Sequence, residues 1–348
     1  SQDLNDAEMA GKYHAGTKDG RFRIYGGSTS RWGGQLLTMM PSDFESKAHM
    51  QGTGWPLKAS ELSPYLQASE LLLGVDHLSY CTDFHNQLPS QVPPLSEPGL
   101  QNRFSKRASY RYRNMGRTLG GRCKADSRTR VFLHATATGI FLNELGTSVD
   151  YVQVSSPNRQ LFRFHGRQVV LAAGSIEICR LLLASRNVHS NGVGNSSDQL
   201  GRWFHDHLAV NAAVLCPQHR EKFLNLISPW YLGNTRHNLK FSTTAAWQAR
   251  HKVTNVSGQL LFEYTQASFF AWLSHQVHSY KFGSSLHSLR TAPLLKSSAE
   301  LYDIFHLIWM RIVARRLWCP KTANIVLRID SEQCPTPDNR ITLSRNLD

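Results

Sequence analysis

The sequence predicts a mixed fold of the α/β (α+β) class with one largely antiparallel sheet, and three observations indicate it. Residues 169–174 are a short apolar run that enters a turn of small residues, and residues 175–185 continue with the spacing of an amphipathic helix. Side chains of two kinds alternate at 260–265 and again at 325–330, as in a strand. The 348 residues are 41% hydrophobic and 18% charged, which is a globular composition.

The segment 169–177 has the pattern of a buried parallel strand that delivers backbone N–H groups to a ligand at a helix N-terminus. Ala172, Ala173 and Gly174 have almost no side chain. A large flat or anionic group can therefore approach the backbone closely at this turn.

A second glycine-rich segment lies at residues 23–35, where two Gly-Gly pairs flank hydroxyl side chains. Such a loop can form an anion nest and lets a backbone pass close to a cofactor. A glycine pair taken alone is more often a plain turn. The segment gains weight only together with the turn at 172–174.

These two segments resemble signatures of the glucose-methanol-choline (GMC) flavoprotein oxidoreductases. The loop is most similar to the Trp-Gly-Gly subgroup, which includes sugar and polyol dehydrogenases. Further stretches resemble the family pattern in the same order, and they are residues 41–44, 55–57, 61–65, 131–140, 193–207 and 332–343. The region from about 208 to 320 matches weakly.

The resemblance implies a non-covalently bound FAD. In the related pyranose oxidases a histidine bonded covalently to the flavin precedes the matching tryptophan, whereas Arg31 precedes Trp32 here. The cofactor-binding residues that the resemblance implies are Gly26, Gly27, Ser28, Thr29, Trp32, Gly33, Gly34, Gln35, Ala137, Ala172, Ala173, Gly174, Ser175, Glu177 and Arg180.

The implied architecture is an incomplete, Rossmann-like FAD-binding domain joined to a substrate domain. Residues 1–50 and 106–207 are assigned to the FAD-binding domain, 51–105 to a lid and helical connector, and 208–348 to an incomplete substrate domain. The FAD-binding part is expected to contain strands near 130–134, 149–155 and 168–172, and another strand is expected to begin at Asn238.

Two elements of the family pattern are not found in this sequence. It contains no G-x-G-x-x-G, and it ends at Asp348, before the segment that carries the family's catalytic histidine. The sequence therefore predicts the central part of a GMC oxidoreductase, with no catalytic residue to name and an inactive isolated chain.

The implied reaction is oxidation of a CH–OH group of a sugar, polyol or other alcohol by hydride transfer to the flavin. The electron acceptor stays open. The alternative is a truncated, catalytically inactive paralogue that acts as a binding or assembly partner.

The net charge of +14 raises the question of a nucleic-acid partner. Basic residues interleave with aromatic ones at 103–107 and 110–113, a mixture that can hold single-stranded nucleic acid. Because no recognition motif accompanies the charge, we expect no nucleic-acid partner, and we interpret these segments as a solvated loop beside a flavin domain.

Metal and membrane sites are not expected. The six cysteines form no C-x-x-C, and His205 and His207 have no evident third ligand. The apolar stripe of a helix at 301–313 suits either a membrane surface or, as we expect, a protein core. No apolar run is long enough to span a bilayer, and the sequence does not indicate a compartment.

Overall fold

The computed structural model of the chain describes residues 3–11, 15–17, 20–50, 54–88, 97–263, 298–320 and 323–344. The α-helices in these ranges are α1 (Ala59–Leu73), α2 (Tyr110–Arg113), α3 (Met115–Thr118), α4 (Gly120–Ala125), α5 (Ser175–Ala184), α6 (Arg220–Ile227), α7 (Ala245–His251) and α8 (Ser298–Ile312). The strands are β1 (Gln35–Leu36), β2 (Leu100–Arg107), β3 (Thr136–Leu142), β4 (Val149–Ser155), β5 (Leu161–Phe164), β6 (His207–Leu215), β7 (Trp230–Leu232), β8 (Thr235–Thr243), β9 (Val256–Glu263) and β10 (Asn324–Glu332). Short 3-10 helices include Gly27–Ser30, Pro41–Asp43 and Thr82–Gln87.

The chain folds as two compact units, and each is assembled from separate stretches of sequence. Unit 1 consists of Ser1–Asp19, Arg122–Asp206 and Cys334–Asp348, and unit 2 consists of Gly20–Gly121 and His207–Gln333. The predicted blocks 1–50 and 106–207 thus each contribute residues to both units. Residues 89–96 of the predicted connector lie outside the described residues.

Unit 2 is built on a seven-stranded antiparallel sheet. The strand order is β1-β2-β8-β9-β10-β6, and β7 pairs with β8. This confirms the prediction of a mixed fold with a largely antiparallel sheet. The strands predicted at 260–265, 325–330 and from Asn238 correspond to β9, β10 and β8, although residues 264 and 265 lie outside the described residues.

One face of this sheet carries the core of unit 2. Phe104 on β2 lies directly opposite Leu239 on β8, and both pack with Phe84, Trp230 and Ile325. All five side chains are at most 5% exposed. Burial of a side chain of this kind stabilises a fold by about 1.5–3 kcal/mol, so this cluster holds the sheet to the elements that cover it.

Unit 1 contains the antiparallel meander β3-β4-β5 and helix α5. The Ser185 hydroxyl fixes the end of the helix to the sheet, because it accepts a hydrogen bond from Ile140 N at 2.8 Å and donates one to Leu181 O at 2.7 Å. Leu181 and Leu183 are the buried residues of α5. The predictions of a strand at 149–155 and of a helix from Ser175 are confirmed.

The strands predicted near 130–134 and 168–172 are wrong, because the structure has neither. Val170 is 86% exposed, and residues 168–173 have irregular backbone. A strand needs a neighbour that satisfies its backbone N–H and C=O groups, and no described strand lies beside either run. The apolar composition of these runs was correctly recognised, but composition does not supply a pairing partner.

Two further interpretations are corrected by the structure. Residues 103–107 are not a solvated loop, because they belong to β2, where Arg103 is 4% exposed and Lys106 is fully buried. The stripe on α8 does not face a core as expected, since Phe305, Ile308 and Ile312 are 65%, 50% and 69% exposed.

Candidate functional site

The glycine loop of unit 2 begins with Gly26 and the 3-10 helix Gly27–Ser30. Gly26 has a φ of 90°, and a Cβ there would lie 2.5 Å from the backbone nitrogen of Gly116. Glycine is therefore required by the close approach of two backbone segments. At Gly27, by contrast, an added Cβ would meet nothing within 4 Å, so this position is open to an approaching group.

The hydroxyl groups of the loop are engaged within it. Ser28 Oγ donates to Gly20 O at 2.9 Å, Ser30 Oγ donates to Gly27 O at 2.8 Å, and Thr29 Oγ1 donates to Gly26 O. The resemblance implied that two of these residues, Ser28 and Thr29, bind the cofactor. In the structure they fix the turn, so a ligand at this loop would meet mainly backbone.

The second half of the loop is fastened to the end of β2. Trp32 Nε1 donates to Arg113 O at 2.7 Å, and Arg113 Nη1 donates to Gly33 O at 3.0 Å. Gly34 has a φ of 69°, and its carbonyl accepts from Ala108 N at 2.8 Å. Gln35 then starts β1 directly opposite Arg107. The loop is thus held at the edge of the sheet.

The sheet face opposite the core is lined by polar side chains, and we call it the polar face. Cross-strand pairing aligns five residues in one row across β2, β8, β9, β10 and β6, namely Arg103, Lys240, Gln259, Arg328 and Asn211. A second pair on the same face places Arg107 directly opposite Arg236. The glycine loop borders this face, since Arg107 Nη2 lies 3.9 Å from the position of a Cβ on Gly33.

Positive charges crowd the polar face. The pKa of Arg107 is lowered to about 10, first by burial and then by the charges of Arg236 and Arg113. Burial also lowers the pKa of Lys240, where the attraction of Asp330 opposes the repulsion from Arg107 and Arg328.

Some side chains of the polar face form hydrogen bonds with described residues and others do not. Asp330 accepts from Arg328 Nε at 3.1 Å and from Gln259 Nε2 at 3.3 Å. Arg103 Nη2 donates to the carbonyl and hydroxyl oxygens of Thr38. Lys240, only 7% exposed, has no hydrogen bond or ion pair with any described residue.

The core face also carries a buried cation, but this one is compensated. Lys106 Nζ lies 2.6 Å from Glu70 Oε1 and 3.4 Å from Asp76 Oδ1. His237 Nε2 lies 2.8 Å from Asp76 Oδ2, and His77 Nδ1 lies 2.6 Å from Glu70 Oε2. Burial tends to raise the pKa of Asp76, but the hydrogen bond and charge of His237 and the charge of Lys106 outweigh it and lower the pKa. We interpret this network as structural.

In unit 1, the predicted ligand turn precedes α5. Gly174 has a φ of 85°, no side chain caps the first turn of the helix, and a Cβ on Gly174 would meet nothing within 4 Å. The N-terminus of α5 is therefore accessible, and a helix N-terminus attracts negative charge. Glu177 pairs with Arg180 at 3.0 Å within the helix.

The predicted cofactor residues fall into two groups, one in each unit. Unit 2 holds Gly26, Gly27, Ser28, Thr29, Trp32, Gly33, Gly34 and Gln35. Unit 1 holds Ala137, Ala172, Ala173, Gly174, Ser175, Glu177 and Arg180. Ala137 lies on β3 opposite Val154, and residues 172–177 are a separate group at the start of α5.

Sequence reasoning missed the polar face. The signal was present as polar residues at every second position, at 101, 103, 105 and 107 and again at 236, 238 and 240. It was hidden because Lys106 and His237 interrupt the alternation on the core side.

An open cleft of about 670 Å³ also occurs in unit 2, between residues 42–49 and α7. It shares no lining residue with the glycine loop or the polar face, so we do not assign the predicted chemistry to it.

No protein-family model matches the chain, and no curated protein matches it significantly. Over the described ranges, no helix has the length and apolar character needed to cross a membrane. No group of three or more His, Cys, Asp or Glu residues in those ranges is arranged to hold a metal ion.

Proposed function

We propose that this chain provides a flavin loop and a substrate wall to an FAD-dependent oxidoreductase that oxidises CH–OH groups of a sugar, polyol or other alcohol. The observation that carries the proposal is the junction of the glycine loop with the polar face of the sheet, where Gln35 pairs with Arg107. A flat cofactor held at this loop would lie beside a row of side chains able to hydrogen-bond hydroxyl groups.

Each unit has one predicted cofactor-binding glycine with open space at its Cβ position. Gly27 in unit 2 and Gly174 in unit 1 each leave room where a side chain would otherwise project, and backbone can approach a ligand at both. We include a Rossmann-like organisation of unit 1 in the proposal, supported by the accessible N-terminus of α5. Arg31 before Trp32 favours a non-covalent flavin.

The flavin, when bound, supplies the hydride acceptor. The chain itself contributes orientation. Gln259 and Asn211 stand in the polar row with both donor and acceptor capacity, as recognition of a hydroxyl group requires. We assign no general base among the described residues. His205 directs Nδ1 at Trp203 O, 2.7 Å away.

The test uses protein expressed from the complete reading frame that contains residues 1–348. Acid denaturation should release yellow FAD into the supernatant, whereas flavin that stays with the pellet would indicate a covalent link. Gly174→Val should lose FAD, because it fills the open space and strains a backbone with a φ of 85°. Gly121→Ala is the control, since its Cβ also meets nothing within 4 Å but lies in α4 with ordinary φ. Folded protein without flavin would contradict the proposal.

A second function is favoured by exposed apolar side chains. Leu208 and Val210 lie on the same face of the edge strand β6 and are 64% and 58% exposed, as apolar residues of a protein-binding surface are. The alternative is therefore an inactive chain that acts as a binding or assembly partner. Folded protein that binds no flavin, oxidises no alcohol and elutes with a second protein would favour it.

A further inference from the structure

We propose that the polar face binds an anionic group of the substrate, so that the alcohol is an acidic one such as a hydroxy carboxylate or a sugar phosphate. The inference rests on the proposed function for the reaction itself, but the anion site is argued from the charges of unit 2 alone.

Like charges lie opposite one another on neighbouring strands of the polar face. Arg103 lies directly opposite Lys240, and Arg107 lies directly opposite Arg236. Side chains directly opposite in an antiparallel sheet have Cβ atoms about 4.5–5.5 Å apart, and like charges at that distance destabilise the sheet. Arg103 and Lys240 are 4% and 7% exposed, so water screens this pair poorly.

Negative charge is scarce on this face, although the charge of Asp43 acts on Arg103. Asp330 is already bonded to Arg328 and Gln259, and Glu263 accepts from Asn211 Nδ2 at 3.3 Å at the far end of β9. Lys240 has no partner among the described residues. Arg107 Nη2 donates to Gln35 Oε1 at 3.3 Å, but Arg107 Nε and Arg103 Nε are buried atoms without a hydrogen-bond partner among the described residues. Buried donors are normally paired, so a ligand would supply hydrogen bonds that the described residues do not give to these groups.

Lys106 on the neighbouring strand differs from Lys240 in its partners. Lys106 is fully buried, and the fold supplies it with two carboxylates at 2.6 and 3.4 Å. The chain thus compensates a buried lysine where its role is structural. On the opposite face no carboxylate of the described residues forms an ion pair with Lys240, and only the attraction of Asp330 offsets the repulsion from Arg107 and Arg328. A buried charge that is incompletely compensated is costly to the fold. An anion from outside the chain would remove that cost.

The side chains of the polar face indicate the size and chemical class of the anion. Lys240, Arg107 and Arg328 each present charged N–H donors, which suit the oxygens of a carboxylate or phosphate. Gln259 and Asn211 in the same row suit hydroxyl groups. A small polyol with one acidic end therefore matches the polar face better than a neutral sugar.

The experiment measures binding by titration calorimetry, with gluconate, glucose 6-phosphate, glucose and sulfate as separate ligands. Gluconate or glucose 6-phosphate should bind, and whichever binds tighter identifies the acid group. Glucose and sulfate should bind at least about tenfold more weakly, because each provides only part of the match. Lys240→Met should weaken binding by about 10- to 100-fold, the effect of losing one charge-assisted hydrogen bond. Lys240→Arg should retain most of it, and Lys222→Met, which removes one exposed charge from α6, should leave it unchanged.

Equal binding of gluconate and glucose, or unchanged gluconate binding in Lys240→Met, would overturn the inference. FAD that displaces gluconate, combined with loss of FAD affinity in Lys240→Met, would assign the cations to the cofactor phosphates and would also overturn it. Failure of the proposed function has a different signature, since gluconate would then bind in a Lys240-dependent way to a protein that holds no flavin. If flavin binds and gluconate reduces it equally well in the unsubstituted protein and in Lys240→Met, the proposed function stands and this inference fails.

Discussion

Replacing Lys106 with methionine should strongly destabilise unit 2. The substitution keeps the apolar stem and removes a fully buried charge whose Nζ lies 2.6 Å from Glu70 Oε1. It also removes the donor to Asp76 O at 2.7 Å. Glu70, 5% exposed, would keep its contact with His77 and its hydrogen bond with Tyr80 but would lose its only lysine partner. Removing one partner of a buried ion pair costs about 3–5 kcal/mol, and we expect a loss of that size in the free energy of unfolding.

Lys240→Met is the matched control, because it is the same substitution on the adjacent strand but on the opposite face. Lys240 has no ion pair with a described residue, so removing its charge leaves no carboxylate unpaired. We expect a free energy of unfolding that is unchanged or raised. The double variant Lys106→Met with Glu70→Leu should recover much of the loss seen in Lys106→Met, since no charge of that pair then stays buried alone.

The assay is urea unfolding at pH 7, followed by far-UV circular dichroism of the sheet. With a slope of about 2–3 kcal/mol per molar urea, a loss of about 3–5 kcal/mol lowers the midpoint by about 1–2.5 M. Equal midpoints for Lys106→Met and Lys240→Met would refute the reasoning, in which carboxylates pair with the buried lysine on the core face and not with the one on the polar face. A double variant no more stable than Lys106→Met would show that the pairing with Glu70 is not what Lys106 contributes.

Two further predictions concern acid stability and the glycine loop. The pKa of Asp76 in the folded protein is lowered below its usual 3.8. The ionised carboxylate therefore contributes fully to the free energy of unfolding above that pH, and this contribution is lost as the pH falls towards the folded pKa. In Asp76→Asn the urea midpoint should therefore fall less steeply with decreasing pH below about pH 4 than in the unsubstituted protein. An equally steep fall in the two proteins would contradict this. Gly26→Ala should cost about 1–3 kcal/mol in thermal unfolding, because its Cβ would lie 2.5 Å from Gly116 N, whereas Gly121→Ala should be neutral or slightly stabilising.

The antiparallel sheet of unit 2 could be predicted because one of its faces is apolar. Leu260 and Phe262 on β9 and Ile325 on β10 recur at every second position and pack on the same core. The run at 169–173 is equally apolar, but a parallel strand exists only beside another strand. Periodicity reports which side chains are to be buried and not which backbone will pair, and this is why the helix from Ser175 was predicted correctly and the strand before it was not.

The candidate site was harder to predict than the fold, because its chemistry depends on the register between strands. Sequence reasoning recognised the basic cluster at 103–107 but could not separate its two faces. Lys106 is neutralised by Glu70, 36 residues away, whereas Arg103 faces Lys240 across two paired strands. The same residue type on adjacent strands therefore has a different role on each face. Lys106 is paired within the fold and, among the described residues, Lys240 is not, and the proposal that the polar face recognises a substrate depends on that difference.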